Sequence, residues 1–208
     1  EVQKNGGNGY VAMKINSFND VGIMEKMIEA SQAGVEIHLY IRGICCLRPG
    51  IEGSTDNITI RAIIGRYLEH SRIFVFGEGE RQRIYLGSGD LLNRNTQRRV
   101  EIFAEPKSKE IRKQLLYIMK TLETDNSQSW LMQPDGTYER VVCREGERPV
   151  NSQMKLYDYF NCDTVTASAI PPAAKQKPVV AAAPKASQPK SQPKPGFFRR
   201  LLDSLFKK

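Results

Sequence analysis

The chain has 208 residues, 31 Lys and Arg against 23 Asp and Glu, and four cysteines. That is enough length for one domain with a buried core, too little cysteine for a disulfide scaffold, and no apolar run near the roughly 20 residues that span a bilayer. The formal charge of +8 is confined to one end: residues 1–163 carry 22 basic and 22 acidic side chains, residues 164–208 nine basic and one acidic. Basicity is therefore no sign of a nucleic-acid partner for the folded part, and none is expected.

Arginine is distributed unevenly. From Arg42 to Arg99 there are ten arginines and no lysine. A planar guanidinium can grip two phosphate oxygens at once, which an ammonium cannot, so the span points to phosphate handling; surface pairing with the six acids in the same span is the plainer alternative. The four cysteines (Cys45, Cys46, Cys143, Cys162) lack zinc-ligand spacing and are expected as reduced thiols of a cytoplasmic protein. Glu1 stands where an initiator Met is expected, which suggests a processed chain or a fragment.

In chain order, Tyr10–Ile15 follows a turn at Gly6-Gly7-Asn8-Gly9 and has the composition of a strand. Asn19 or Asp20 offers a helix cap; Val21, Met24, Met27 and Ile28 recur at helical spacing, and Gly34 stops the helix. Val35, Ile37, Leu39 and Ile41 alternate with Glu36, His38, Tyr40 and Arg42, the period of a strand. Strand, helix, strand with short links predicts a βαβ unit with a parallel pair, whose ligands gather at the carboxyl ends of the strands. Arg42 stands at such an end.

Further strands are predicted at 58–64, 73–76, 84–86 and 99–103, and the pattern over 107–123 predicts an amphipathic helix whose stripe (Ile111, Leu115, Ile118, Met119, Leu122) is core packing without chemistry. Residues 125–148 lose their pattern around Pro134-Asp135-Gly136, predicting loops or a hairpin. Met154, Leu156, Tyr157 and Phe160 predict a closing helix. The fold class is α/β, a mixed sheet flanked by helices.

Past residue 163 the composition shifts: seven of the eleven prolines lie there among Ala, Lys and Gln. Residues 164–195 are predicted to be a disordered linker. In 196–208, apolar pairs at 197/198, 201/202 and 205/206 predict a short basic amphipathic helix. Its target is an anionic membrane surface, with the protein peripheral on the inner face of the membrane, a partner or oligomer groove, or its own domain.

His70 is the sharpest residue for chemistry. His38, the other histidine, sits mid-strand and is given a structural or solvent-facing role. His70-Ser71-Arg72 places a histidine two residues before a cation, followed by Gly87-Ser88-Gly89-Asp90 and Asn95. That order resembles one half-site of the phospholipase D superfamily, where cation and small donors hold phosphoryl oxygens and histidine is nucleophile or proton donor. Arg72 takes the place of the superfamily lysine, and the second half-site is missing. Three longer stretches resemble the last catalytic domain of polyphosphate kinase over residues 9–160: Arg42-Gly43-Ile44-Cys45-Cys46-Leu47-Arg48-Pro49-Gly50, Arg66-Tyr67-Leu68-Glu69-His70-Ser71-Arg72-Ile73, and Asn93-Arg94-Asn95 leading to Arg98-Arg99-Val100-Glu101.

The resemblance implies a phospholipase D-like domain over 1–163. It implies reversible, Mg²⁺-dependent transfer of the terminal phosphate of ATP to inorganic polyphosphate through a phosphohistidine. The family pattern assigns Arg42 and His70 to the nucleotide phosphates, with His70 catalytic; Arg66, Arg72, Ser88 and Asn95 are secondary phosphate-binding candidates, and Asp90 is expected to orient His70 or an arginine. The phosphorylated histidine and the Mg²⁺ ligands are expected outside this segment, so the segment is expected to be inactive alone. ATP, ADP and polyphosphate are the expected ligands, and the rest of the kinase chain and further copies in a homo-oligomer the expected partners. Two other readings stay open: a non-enzymatic polyanion-binding scaffold, and a phosphodiesterase whose half-site is completed by dimerisation.

Overall fold

A computed structural model describes Glu1 and residues 9–161. Residues 6–8 of the glycine turn ahead of Tyr10, the linker over 164–195 and the amphipathic helix over 196–208 lie outside the described residues. So does Cys162.

Eight strands form one sheet: β1 (Tyr10–Ile15), β2 (Glu36–Ile41), β3 (Ile58–Ile63), β4 (Ile73–Phe76), β5 (Arg83–Gly87), β6 (Phe103–Ala104), β7 (Ser129–Met132) and β8 (Tyr138–Arg140). Their spatial order is β6-β5-β4-β1-β2-β3-β7-β8. The predicted βαβ unit is present: β1 and β2 pair in parallel, Tyr10 opposite Glu36 through Ile15 opposite Ile41, and β3 extends the parallel centre. On either side the sheet turns antiparallel, β4 against β1 and β7 against β3. The α/β class with a mixed, helix-flanked sheet is thus the observed fold.

Helix α1 (Val21–Gln32) starts where Asp20 accepts a hydrogen bond from the Ile23 amide at 3.0 Å, satisfying one of the unpaired donors of the first turn. Val11, Met13, Ile15, Ile37, Leu39, Ile41 and Ile60 face one side of the sheet, and Met27 of α1 packs with them. The other face carries Ala12, Tyr40, Ile73, Val75 and Ile84 beneath helix α3 (Lys109–Glu123), which contributes Leu115, Met119 and Leu122. Burying each such aliphatic side chain stabilises the fold by about 1.5–3 kcal/mol. Of the predicted α3 stripe, Ile111, in the first turn, remains exposed.

Between 125 and 148 the structure forms a hairpin, β7 and β8, turning at Pro134-Asp135-Gly136 with Gly136 at φ +89°. The closing helix α4 spans Ser152–Asn161. One expectation is corrected. The strand over 99–103 shrinks to Phe103–Ala104, and the residues before it form a short helix, α2 (Asn93–Arg98). β5 ends at Gly87, so residues 99–102 have no regular ladder beside them. Ser88 closes the gap, its amide donating to Ile102 O and its Oγ accepting from the Ile102 amide.

Cys45, Cys46 and Cys143 are free thiols, and burial pushes Cys45 up to about 11. No helix among the described residues is long and apolar enough to cross a membrane.

Candidate functional site

Topology brings five segments to one edge of the sheet. β1, β2 and β3 run parallel and end there; β4, antiparallel to β1, begins there, and β5, antiparallel to β4, ends there. Asn16 follows β1, Arg42 follows β2, the 64–72 loop links β3 to β4, and Asp90 lies just beyond β5. This is the carboxyl edge, where parallel α/β sheets present their ligand-binding loops.

Arg42 and His70 meet at this edge, with Arg42 Nη2 3.4 Å from His70 Nδ1. Arg42 Nε donates to Asn16 Oδ1 at 2.7 Å and to the Glu69 carbonyl at 2.7 Å. The guanidinium is therefore held by contacts from two segments, to a side-chain amide, a peptide carbonyl and an imidazole nitrogen. Among the described residues no carboxylate pairs with it. Gly43 is required beside it, because a Cβ there would lie 2.8 Å from the Asn16 carbonyl oxygen, to which the Gly43 amide donates.

Arg72 has the opposite circumstances. Its Nε and Nη2 grip the two oxygens of Asp90 at 3.1 and 3.0 Å, and its Nη1 donates to the His70 carbonyl at 3.1 Å. Asp90 also accepts from the Asn16 amide at 2.7 Å and from Asn16 Nδ2 at 3.2 Å. Burial alone would raise the Asp90 carboxyl above its ordinary value; the Arg72 guanidinium and the two Asn16 donors outweigh it and hold the group low. Of the two alternatives for Asp90, the structure places it on the arginine.

The loop that carries His70 is tied down from beneath. Lys14, 3% exposed on β1, reaches Glu69 Oε2 at 3.3 Å and the Ser71 carbonyl at 3.2 Å. Desolvation lowers the Lys14 ammonium from its ordinary value, and Glu69 opposes that shift. Gln153 of α4 binds the Tyr67 backbone on both sides, accepting from its amide and donating to its carbonyl, each at 2.9 Å, and also donates to Glu69. Arg42 and the 63–69 segment line a cavity of about 330 Å³.

The secondary candidates occupy other positions. Arg66 lies exposed with its guanidinium 5.7 Å from the Tyr67 ring centre. Ser88 Oγ and Asn95 Nδ2 both donate to Glu101, holding that carboxyl below its usual range, and the buried Asn95 Oδ1 has no partner. Arg72 is committed to Asp90. Arg42 and His70 are thus the pair that the fold brings together with unneutralised donors. Asn16, Lys14 and Gln153 carry no sequence motif, and Glu69 and Glu101 stand in the quoted motifs without a role there, although the strand-end rule that singles out Arg42 applies equally to Asn16.

The donors present do not fit a Mg²⁺ centre. Hard divalent cations want several free oxygens, whereas Asp90, Glu69 and Glu101 are taken by Arg72, by Lys14 and Gln153, and by Ser88 and Asn95. No group of three or more metal-ligating side chains occurs among the described residues.

Residues 1–153 match the family model described as polyphosphate kinase C-terminal domain 2. A polyphosphate kinase of Synechocystis sp. is 47% identical over 149 residues, covering 72% of this chain and 20% of that protein. One from Pseudomonas aeruginosa is 40% identical over 158 residues, covering 76% and 23%. The crystal structure of polyphosphate kinase from Porphyromonas gingivalis superimposes with a TM-score of 0.73 at 30% identity, over 79% of this chain and 25% of that one. The chain therefore spans about a fifth to a quarter of the length of these relatives. On a family match over most of its length, the chain belongs to the polyphosphate kinase C-terminal domain 2 family.

Proposed function

We propose that this chain is the part of a polyphosphate kinase that receives the phosphates of ATP and polyphosphate, working with a phosphohistidine carried elsewhere in the complete enzyme. The observation that carries the proposal is the Arg42–His70 pair at the carboxyl edge, a guanidinium with no carboxylate partner among the described residues beside an exposed imidazole. Phosphoryl transfer needs mainly positioning and neutralisation of charge on the moving group, which suits such a pair.

The contact between them supports a division of roles. A guanidinium can only donate, so at 3.4 Å Nδ1 of His70 is the acceptor and the imidazole proton resides on Nε2. In that tautomer Nε2 is a donor toward a phosphate oxygen and lacks the free electron pair needed to attack phosphorus. In this reading His70 Nε2–H donates a hydrogen bond to a phosphate oxygen and keeps its proton, and Arg42 holds the non-bridging oxygens. The covalent acceptor is then a histidine outside this segment. Any Mg²⁺ would be held outside it too.

In the complete enzyme, His70→Ala is expected to lower kcat by roughly 10²–10³-fold, the range for loss of one preorganised hydrogen-bond donor. Mass-spectrometric mapping of enzyme trapped with ATP is expected to find phosphate on another histidine. Kinetics like wild type in His70→Ala, or stoichiometric phosphate on His70, would contradict the assignment.

A further inference from the structure

Arg42 must be rigid to orient phosphate and uncompensated to attract it. These demands conflict, because the strongest way to fix an arginine is a carboxylate, which also neutralises it. Arg72, one segment away, shows that outcome in its bidentate pair with Asp90. Arg42 is held differently. Asn16 is 4% exposed, and its side chain is used at both ends: Oδ1 accepts from Arg42 Nε at 2.7 Å while Nδ2 donates to Asp90 Oδ1 at 3.2 Å. A closed ring results: Arg42 to Asn16, Asn16 to Asp90, Asp90 to Arg72, Arg72 to the His70 carbonyl, and the His70 ring back to Arg42. The Asp90 charge is used within the ring on Arg72, and Asn16 transmits its fixing effect to Arg42 without transmitting the charge.

We propose that Asn16 is a positioning residue of the phosphate site, a neutral clamp that fixes the Arg42 guanidinium against Asp90 while leaving its positive charge available to the substrate phosphates. The proposal rests on the phosphate-binding reading of Arg42 and adds to it a residue and a reason for its type. An aspartate of the same shape would fix Arg42 equally well, but would cancel its charge and face Asp90 with a second carboxylate.

The test is a double-mutant cycle in the complete enzyme, with kcat and KM for polyphosphate measured in the ADP-consuming direction. Asn16→Asp is expected to raise KM for polyphosphate by about tenfold or more through neutralisation of Arg42. Asn16→Ala is expected chiefly to lower kcat, by about ten- to a hundredfold, through loss of orientation. In an Arg42→Ala background each substitution is expected to change the same constants less than about twofold, because residues acting through one partner are non-additive. Where Asn16→Ala does not fold, Asn16→Asp carries the test through the same cycle. A defective Arg42→Ala enzyme in which either Asn16 substitution keeps its full proportional effect would overturn the clamp and leave the phosphate reading intact. Wild-type kinetics in Arg42→Ala alone would overturn the phosphate reading, and this inference with it.

Discussion

Replacing Arg42 with alanine in the complete enzyme is expected to lower kcat/KM by about 10²–10³-fold, the scale on which one preorganised donor to developing charge acts. The expectation is large because nothing nearby can substitute. Arg72 is held by Asp90, Lys14 is 3% exposed beneath the loop and paired with Glu69, and Arg66 lies out over Tyr67. Arg42→Lys is expected to recover little. An ammonium lacks the fork that donates Nε to Asn16 and the Glu69 carbonyl while presenting a second nitrogen beside His70. Steady-state kinetics in both directions would measure this, with circular dichroism to show that the fold is kept. Activity of Arg42→Lys within about threefold of wild type would mean that charge alone matters and that the bonded geometry does not.

The second large effect concerns stability. Asp90→Ala is expected to destabilise the 208-residue chain by about 3–5 kcal/mol, the range for removing one partner of a buried ion pair. Arg72 and Asp90 are only 14% and 7% exposed, so the stranded guanidinium would have little water to turn to, and both Asn16 donors would lose their acceptor. The pH dependence has a definite sign. The folded-state carboxyl lies below its ordinary value, so its contribution is fully present above the unfolded value of about 4 and is lost as pH falls through the folded value. Urea melts should show the full gap between wild type and Asp90→Ala at pH 7 and a shrinking gap in acid below about pH 4. A difference under about 0.5 kcal/mol at pH 7 would contradict the buried-pair description.

Local rules read from the chain reached a definite depth. β1, α1 and β2 announce themselves through periods of two and three to four and through the Asp20 cap, and from those three elements the carboxyl edge and Arg42 follow. Residues 99–103 misled because Val100, Ile102 and Phe103 look like a strand, yet the neighbour they would pair with stops at Gly87; strand propensity does not register the length of a partner. Lys14 was illegible for a related reason. A lysine inside a strand reads as a solvent-facing position, and its burial makes sense only beside Glu69, 55 positions away along the chain. Asn16 looks like a turn residue until Asp90 arrives from beyond β5, 74 positions on. The motif around His70 identified the loop. Which of its charges stay free and which are neutralised is a property of long-range pairing, and only the folded arrangement separates Arg42 from Arg72.

The most direct measurement is a crystal structure of the complete enzyme bound to a non-hydrolysable ATP analogue. The expected result is one phosphate chain with Arg42 nitrogens and His70 Nε2 both within about 3 Å of its oxygens, and with the Arg72–Asp90 pair still closed behind them. A phosphate chain seated away from this edge, with Arg42 and His70 facing solvent, would contradict it.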